Sequence, residues 1–401
     1  MAGDSEKSIR AYADLIVRGG LNLQPGQSLL VAEPYELQGG SRHAGELVTD
    51  VAESARAAGA AGVDVIWGDE ARLRRLALAS DQDGFESLAR DHSSHLSAAL
   101  ARGDALLFLL SSHPGLLEGS TGESWEGLRR IAWTHFGPIA RDLALGATNW
   151  TAAPAPTPAW AASVYPELPE DRRLSTLWSD LLKSCRIGPG TACLDGWNRH
   201  MQQLQRTCGD LNARRLSRVR FRGRGTDLTV SLPPGHVWCT SKLATPRGIR
   251  FTANLPTEEV FTLPHRDSAE GRLTVARPIV HGGAAIDGIE LEFGAGRVVG
   301  AKACAGAGLL QRLLETDEGA VRLGEIAWIP GPTEIARTGR LFGHPLLDEN
   351  ALPHVALGAA YPFTLRDGNA MSPHRLAAAG ANQSLIHVDL PVDVAEVAWL
   401  P

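Results

Sequence analysis

The strongest constraint on the fold is an alternation of apolar segments and helical patterns in the first 110 residues. A short apolar segment begins at Ser28, an amphipathic pattern covers 44–58, and a second apolar segment covers 63–67. A strand, a helix and a strand at this spacing predict a βαβ unit with parallel strands. The run Ala105-Leu-Leu-Phe-Leu-Leu is apolar at every position, which is typical of a strand that is buried on both faces.

The pattern changes near Gly188-Pro-Gly. From Leu216 onward, short strand-like segments predominate, and one helical pattern over 303–316 interrupts them. A chain of 401 residues is long enough for two to three domains of about 150 residues each. We therefore predict an α/β protein with two domains: a βαβ-type parallel-sheet domain over 1–187 and a strand-rich α+β domain over 188–401.

The composition excludes several classes of protein. Lys and Arg total 39 against 45 Asp and Glu, and the net charge of −6 argues against a dedicated nucleic-acid-binding protein. No apolar stretch reaches the roughly 18 residues of a membrane-spanning helix, and the polar start lacks the apolar core of a signal peptide. Five cysteines without a Cys-x-x-Cys pair indicate neither a disulfide framework nor a cysteine zinc site. These features favour a cytoplasmic protein with reduced thiols.

His387 and Asp389 lie two residues apart in a segment with the alternation of a strand, Ser384-Leu-Ile-His-Val-Asp-Leu. Side chains at positions i and i+2 of a strand point to the same face. An imidazole and a carboxylate that converge from one surface can bind a metal ion. A structural ion pair is the simpler alternative for the same pattern.

Two more polar residues stand in apolar segments. Glu325 lies inside Leu323-Gly-Glu-Ile-Ala-Trp-Ile, and a buried carboxylate is costly unless it is paired or bound to a metal. His354 lies in Pro353-His-Val-Ala-Leu-Gly. The simpler alternatives are an edge strand whose glutamate faces water and a hydrogen-bonded core histidine.

The adjacent pair Glu258 and Glu259 follows Asn254-Leu-Pro-Thr. In an extended chain neighbouring side chains point in opposite directions, so only one of the two can face a given site. A solvated acidic turn is the simpler explanation of the pair. The residues alone do not select one glutamate over the other.

Together these positions give three carboxylates and two imidazoles in roughly the last two-fifths of the chain. Such a set suits a hydrolase with two metal ions about 3.5–4 Å apart, provided that a carboxylate bridges the ions. The sequence contains no His-Glu-x-x-His, Gly-x-Ser-x-Gly or Gly-x-x-x-x-Gly-Lys-[Ser/Thr] motif. A zincin, a serine hydrolase and a P-loop protein therefore lose their main support.

Sequence blocks along nearly the whole chain give a further signal. They are Gly20-Leu-Asn-Leu-Gln-Pro-Gly-Gln, Gly225-Thr-Asp-Leu, Asn254-Leu-Pro-Thr-Glu-Glu-Val-Phe-Thr-Leu-Pro, Asp317-Glu-Gly-Ala, Leu323-Gly-Glu, Leu347-Asp-Glu-Asn-Ala, His354-Val-Ala-Leu-Gly-Ala-Ala-Tyr-Pro and Asn382-Gln-Ser-Leu-Ile-His-Val-Asp. In this order the blocks resemble the metallo-aminopeptidase family that contains aminopeptidase T and aminopeptidase S.

The resemblance implies a cytoplasmic homodimer with a dinuclear metal site in the second domain, holding two divalent ions (Zn, Co or Mn). By position, the metal ligands of the family correspond to Glu259, Glu325, His354, His387 and Asp389. An active-site tyrosine corresponds to Tyr361, and the correspondence selects Glu259 over Glu258.

The resulting hypothesis is an aminopeptidase that hydrolyses the N-terminal amide bond of a peptide or small amide through a metal-bridging hydroxide. Tyr361 would donate a hydrogen bond to the developing oxyanion. Glu258 or Glu325 would carry a proton to the leaving amine. Neither a nucleic acid nor a membrane is expected as a partner.

Two alternatives stay open. A mononuclear iron ring-cleaving dioxygenase on the same scaffold would use His354, His387 and Asp389 as a facial triad. It would leave Glu259 and Glu325 without a role. The other alternative is a non-catalytic metal-binding or scaffold homologue.

Overall fold

The computed structural model describes residues 2–33, 39–116, 118–120, 122–188, 193–281 and 284–401. The chain forms two compact units, Met1–His200 with Ser241–Thr257 and Met201–Thr240 with Glu258–Pro401. The boundary predicted at residue 187 lies before His200, where the first unit is first interrupted. The prediction also assigned Ser241–Thr257 to the second domain, whereas this segment belongs to the first unit. None of the helices in the described ranges combines the length and apolarity needed to cross a lipid bilayer.

The α-helices of the described residues are α1 (Ala2–Asp14), α2 (Gly45–Ala57), α3 (Glu70–Ala79), α4 (Gln82–Arg102), α5 (Gly122–Ala144), α6 (Pro158–Val164), α7 (Glu170–Ser184), α8 (Cys193–Ala213), α9 (Ala307–Leu314), α10 (Glu334–Thr338), α11 (Pro345–Asp348) and α12 (Pro373–Ala378). The strands are β1 (Leu29–Ala32), β2 (Val63–Val65), β3 (Ala105–Leu110), β4 (Trp150–Pro154), β5 (Arg218–Gly223), β6 (Thr226–Ser231), β7 (Lys242–Ala244), β8 (Arg250–Thr252), β9 (Val260–Thr262), β10 (Glu270–Thr274), β11 (Ile279–His281), β12 (Ala284–Ile286), β13 (Glu290–Gly294), β14 (Arg297–Lys302), β15 (Leu323–Trp328), β16 (His354–Gly358), β17 (His387–Pro391) and β18 (Glu396–Leu400).

The first unit is built around a parallel sheet with the strand order β2-β1-β3-β4. Helix α2 connects β1 to β2, as the predicted βαβ unit requires. All six residues of β3 are buried, in agreement with the uninterrupted apolar run. Polar side chains cap the starts of α3, α4 and α6. For example, Oδ1 of Asp69 accepts the Arg72 N–H at 2.9 Å at the start of α3. The predicted parallel sheet is confirmed.

The second unit contains many short strands, as the strand-like segments predict, and they pair mainly in the antiparallel direction. One sheet has six strands in the order β14-β13-β10-β6-β5-β18, and another has four in the order β17-β16-β15-β9. Helix α9 lies within the predicted helical segment 303–316 and is shorter than predicted at both ends. The four-stranded sheet carries the candidate site.

Candidate metal centre

The four-stranded sheet presents the candidate ligands on one face. Glu325 on β15 pairs with Ala356 on β16, and Ala356 pairs with Asp389 on β17. Residues directly opposite one another on neighbouring strands point to the same face. His354 precedes Ala356 by two residues and therefore shares this face. Ala356, which lies between Glu325 and Asp389, has only a methyl side chain and therefore leaves space between the two carboxylates.

A glycine allows His387 to approach this face closely. Gly358 ends β16 with φ of +103°, and a Cβ at this position would collide with the carbonyl oxygen of Ile386. Only glycine adopts this conformation without strain. The neighbouring carbonyl of Ala359 accepts a hydrogen bond from Nδ1 of His387 at 2.8 Å. The other ring nitrogen, Nε2, is then available to the carboxylates.

Glu259, Glu325 and His354 form what we call the closed triad. Nε2 of His354 lies 3.1 Å from Oε2 of Glu259 and 3.5 Å from Oε1 of Glu325. Each of the three side chains is at most 7% exposed. One ligand atom from each residue lies within 4.8 Å of the other two, so the three atoms can surround one ion.

Glu325, His387 and Asp389 form what we call the open triad. Nε2 of His387 lies 3.4 Å from Oδ1 of Asp389 and 3.9 Å from Oε2 of Glu325. The side chains of His387 and Asp389 are each 22% exposed. Glu325 belongs to both triads and turns one carboxylate oxygen to each.

The donor set fits divalent cations. Oε2 of Glu259 and Oδ1 of Asp389 are buried and make no hydrogen bond. A buried carboxylate oxygen without a partner is costly, and a cation in each triad would compensate it. Imidazole and carboxylate are also the mixed ligands that zinc, cobalt and manganese accept.

Protonation equilibria reflect the excess of carboxylates. Burial by itself lowers the pKa of His354, but Glu259 and Glu325 raise this pKa well above its ordinary value. Burial likewise opposes the charged form of His387, while Asp389 and Glu325 raise its pKa to about 9. Protons on these imidazoles therefore balance the carboxylates when no cation does so.

The pKa values of Glu325 and Asp389 are shifted in opposite directions. Burial raises the pKa of Glu325, and the nearby carboxylates of Glu259 and Asp389 add to this effect. Burial also opposes ionisation of Asp389, but the His387 imidazole, whose Nε2 lies 3.4 Å from Oδ1, lowers the pKa of Asp389 overall. The open triad thus contains an imidazolium–carboxylate ion pair when no cation is bound.

The simpler explanations of the glutamates are wrong. Glu325 is 4% exposed on an interior strand of the sheet, not on an edge that faces water. Glu258 and Glu259 are 4% and 5% exposed, so they do not form a solvated turn. Only Glu259 belongs to a triad, whereas Glu258 lies next to it and donates its backbone N–H to Oδ1 of Asn350 at 2.6 Å.

Tyr361 lies on the open side of the cluster. The centroid of its ring is 4.9 Å from that of the His387 ring. The ring of Phe363 stacks on the ring of Tyr361, with 5.2 Å between the centroids and an interplanar angle of 16°. Tyr361 is half-buried, so its ring borders both the open triad and the solvent.

Sequence reasoning missed two residues beside the cluster, Glu349 and Asn350. Burial raises the pKa of Glu349 well above its ordinary value, and the carboxylates of Glu259 and Asp389 contribute to this rise. Asn350 is fully buried. A weak signal was present, because the two polar residues stand five and four residues before the apolar strand that begins at His354.

Comparisons with known proteins identify the family of this chain. The family model described as thermophilic metalloprotease (M29) matches residues 5–398. Aminopeptidase T from Thermus thermophilus is 36% identical, over 96% of this chain and 92% of that protein. Aminopeptidase 2 from Geobacillus stearothermophilus is 32% identical, over 98% of this chain and 93% of that protein.

A solved structure is similar over nearly the same length. Wild-type AmpT from Thermus thermophilus gives a TM-score of 0.87 at 35% identity and covers 98% of this chain and 94% of that chain. The family model, the relatives and the fold agree, and they confirm the resemblance inferred from the sequence blocks. This chain therefore belongs to the thermophilic metalloprotease (M29) family and is a metal-dependent peptidase.

Proposed function

We propose that this chain is an aminopeptidase that uses two divalent ions, one in the closed triad and one in the open triad. The observation that carries the proposal is the position of Glu325, which contributes to both triads and is suited to bridge two ions. Two of its relatives are named aminopeptidase T and aminopeptidase 2. Two ions with a common carboxylate are a frequent arrangement in such hydrolases.

Each ion would have its own protein ligands. Glu259 and His354 would hold the ion of the closed triad, and His387 and Asp389 would hold the ion of the open triad. Two divalent ions at these positions would lower the pKa of a shared water towards neutrality and polarise the scissile carbonyl group. The ligand chemistry suits zinc, cobalt and manganese.

Tyr361 would stabilise the transition state. Its contact with the His387 ring puts it beside the open triad, where a substrate carbonyl can approach from solvent. A phenol at this position can donate a hydrogen bond to the oxygen on which negative charge develops.

A carboxyl group would transfer a proton to the leaving amine. The candidates from the sequence are Glu258 and Glu325. Glu325 is here assigned to the ions, and Glu258 is buried next to Glu259. Glu349 is a second candidate, because it lies beside the cluster and its burial opposes ionisation, which raises its pKa. The variants Glu258→Gln and Glu349→Gln distinguish the two, since only the true proton donor should lose turnover while both ions remain bound.

The substrate would be a peptide or a small amide with a free N-terminal amino group. The free amino group of the substrate would bind one of the ions or an acidic side chain beside them, so the site would prefer substrates that have such a group. This preference would restrict cleavage to the first residue. A homodimer in a reduced, cytoplasmic environment is part of the proposal through the family resemblance.

The proposal can be tested with metal-free protein that is reloaded with Zn²⁺, Co²⁺ or Mn²⁺. We expect two ions per chain and release of the first residue from unblocked dipeptides and aminoacyl p-nitroanilides. The same compounds with an acetylated N-terminus should not be cleaved. Two bound ions without cleavage of any unblocked substrate would contradict the proposal.

The dioxygenase alternative makes a different prediction for the same measurement. It requires a single iron and an aromatic substrate, and it leaves Glu259 and Glu325 unused. Both glutamates face the cluster and are buried, which favours the two-ion peptidase. One tightly held iron with ring cleavage would reverse this choice.

A further inference from the structure

Two hydrogen-bond networks adjoin the metal centre, and the residues at their centres, Asn350, Asp317 and Asn382, have no step in the proposed reaction. The first is centred on Asn350, in the 3₁₀ turn Glu349–Ala351 between α11 and β16. Oδ1 of Asn350 accepts the backbone N–H of Glu258 at 2.6 Å. Its Nδ2 donates to the carbonyl oxygen of Leu346 at 2.8 Å and to Oε1 of Glu349 at 3.2 Å. The amide is therefore engaged at both ends.

Asn350 joins the two segments that deliver the closed triad. Glu259 follows the residue whose N–H is bound, and His354 follows Asn350 by four residues. Ligand atoms of Glu259 and His354 lie 3.1 Å apart. A short hydrogen bond to a buried backbone N–H restricts the path of the chain at Glu258. The amide thus sets the position of the Glu259 carboxylate relative to the imidazole.

The second network begins at Asp317, between α9 and β15. Its carboxylate accepts hydrogen bonds from Oγ of Ser384 at 2.8 Å and from the N–H of Leu385 at 2.6 Å. It also accepts two backbone N–H groups of its own turn at 2.9 Å each. Four donors at one carboxylate fix the segment that leads into His387.

Asn382 ties the same segment to β16. Its Nδ2 donates to the carbonyl oxygens of Gly319 at 2.8 Å and Gly358 at 2.7 Å. The backbone carbonyl oxygen of Asn382 accepts a hydrogen bond from the N–H of Ala360 at 3.0 Å. A Cβ on Gly319 would collide with the carbonyl oxygen of Gln383, so glycine permits this close approach.

We propose that these networks position the two ion sites separately, with Asn350 fixing the closed triad and Asp317 with Asn382 fixing the open triad. Within the described part of the chain, the hydrogen bonds given above for the two networks have no residue in common. The inference rests on the proposed function, because it requires two ions. Removing a residue that orients a ligand typically weakens ion binding about 10- to 100-fold.

The test is a titration of the metal-free, full-length protein with Co²⁺. Calorimetry measures the affinity of each binding event, and the visible absorption of Co²⁺ identifies the site that is occupied. The ligand variants Glu259→Gln and His387→Ala give reference spectra for the open and the closed site alone. Asn350→Ala should weaken only the closed site, about 10- to 100-fold, and its spectrum at limiting Co²⁺ should match that of Glu259→Gln. Asp317→Ala should weaken only the open site and match His387→Ala.

Conservative variants separate positioning from a general loss of structure. Asn350→Asp keeps an acceptor for the Glu258 N–H, and Asp317→Asn keeps one for the Leu385 N–H. Each should recover part of the lost ion affinity. Asn149→Ala is the matched control, because Asn149 is also fully buried and its Nδ2 donates to the carbonyl oxygen of Leu21 at 2.8 Å in the first unit. It should lower the melting temperature and leave both binding events unchanged.

The outcomes distinguish the inference from the proposed function. Suppose that the wild-type protein binds two ions. If Asn350→Ala and Asp317→Ala then lose ion affinity equally at both sites, or lose none, the inference alone is overturned. Fewer than two ions in the wild-type protein would overturn the proposed function and the inference with it. Should Asn350→Ala fail to fold, Asn350→Ser gives the same test, because a serine hydroxyl is too short to reach the Glu258 N–H.

Discussion

The closed and the open triad contain the same ligand chemistry but differ in their contact with solvent. His354 and Glu259 have side chains that are 1% and 7% exposed, whereas those of His387 and Asp389 are each 22% exposed. A metal site that takes part in catalysis needs an open coordination position, and one that is fully enclosed has none. We therefore expect the ion of the closed triad to exchange slowly, and the ion of the open triad to meet the substrate.

The largest effect should come from the residue that the two triads share. Glu325→Ala removes a ligand from both sites, so we expect both ions to be lost and peptidase activity to fall to background. Elemental analysis and an aminoacyl p-nitroanilide assay measure these two quantities. Glu290→Ala, on an exposed position of β13, is the control and should change neither. Normal ion content in Glu325→Ala would show that the triads do not depend on a common carboxylate.

The histidine variants test whether the two sites are distinct. His387→Ala should lose the ion of the open triad and retain the other, because the closed triad does not contain this residue. His354→Ala should do the opposite. Metal content per chain, with Co²⁺ spectra to tell the sites apart, measures the result. Retention of both ions in His387→Ala would refute the assignment of this ligand.

Tyr361→Phe tests the chemistry on the open side without removing a ligand. We expect kcat to fall about 100- to 1,000-fold, the usual loss when one donor to a developing oxyanion is removed. Ion content should not change. Tyr165→Phe, in the first unit, removes a hydroxyl that donates to Oδ2 of Asp180 at 2.5 Å, and it should leave kcat unchanged. An unaltered kcat in Tyr361→Phe would mean that its role is structural.

The mildest perturbation is a change of pH, which should alter ion binding without any change of residue. The pKa of His387 in the metal-free protein is raised to about 9, so at neutral pH a cation must displace a proton from this imidazole. Affinity at the open triad should rise about tenfold per pH unit for one displaced proton and level off above the pKa of His387. Calorimetry in buffers of different ionisation enthalpy counts the released protons. Affinity that does not depend on pH between 6 and about 9 would contradict this protonation state.

The sequence predicts the parts of the fold that depend on local pattern. The uninterrupted apolar run locates β3 at Ala105–Leu110, since such a run suits a strand with no solvent-facing side. Alternation likewise puts His387 and Asp389 on one face of β17, and their ligand atoms lie 3.4 Å apart. In both cases the local pattern of apolar and polar side chains is enough to predict the strand.

Other features depend on contacts between distant segments, and no local pattern contains them. Asn350 binds the backbone of Glu258 across 92 residues of sequence. The return of Ser241–Thr257 to the first unit is set in part by the hydrogen bond from the Ala152 N–H to the carbonyl oxygen of Ala253. The choice of Glu259 over Glu258 came from the family resemblance, because alternation only requires that the two face different ways.

The position of Glu325 between the two triads has a consequence for how the proposed enzyme would respond to the supply of metal. A ligand common to both ions would make loading of one site alter the affinity of the other. An enzyme that needs both ions is active only in its doubly loaded form, so at low free-ion concentration its active fraction rises with the square of that concentration. Peptide breakdown would therefore respond to a change in metal supply more sharply than in an enzyme that needs a single ion.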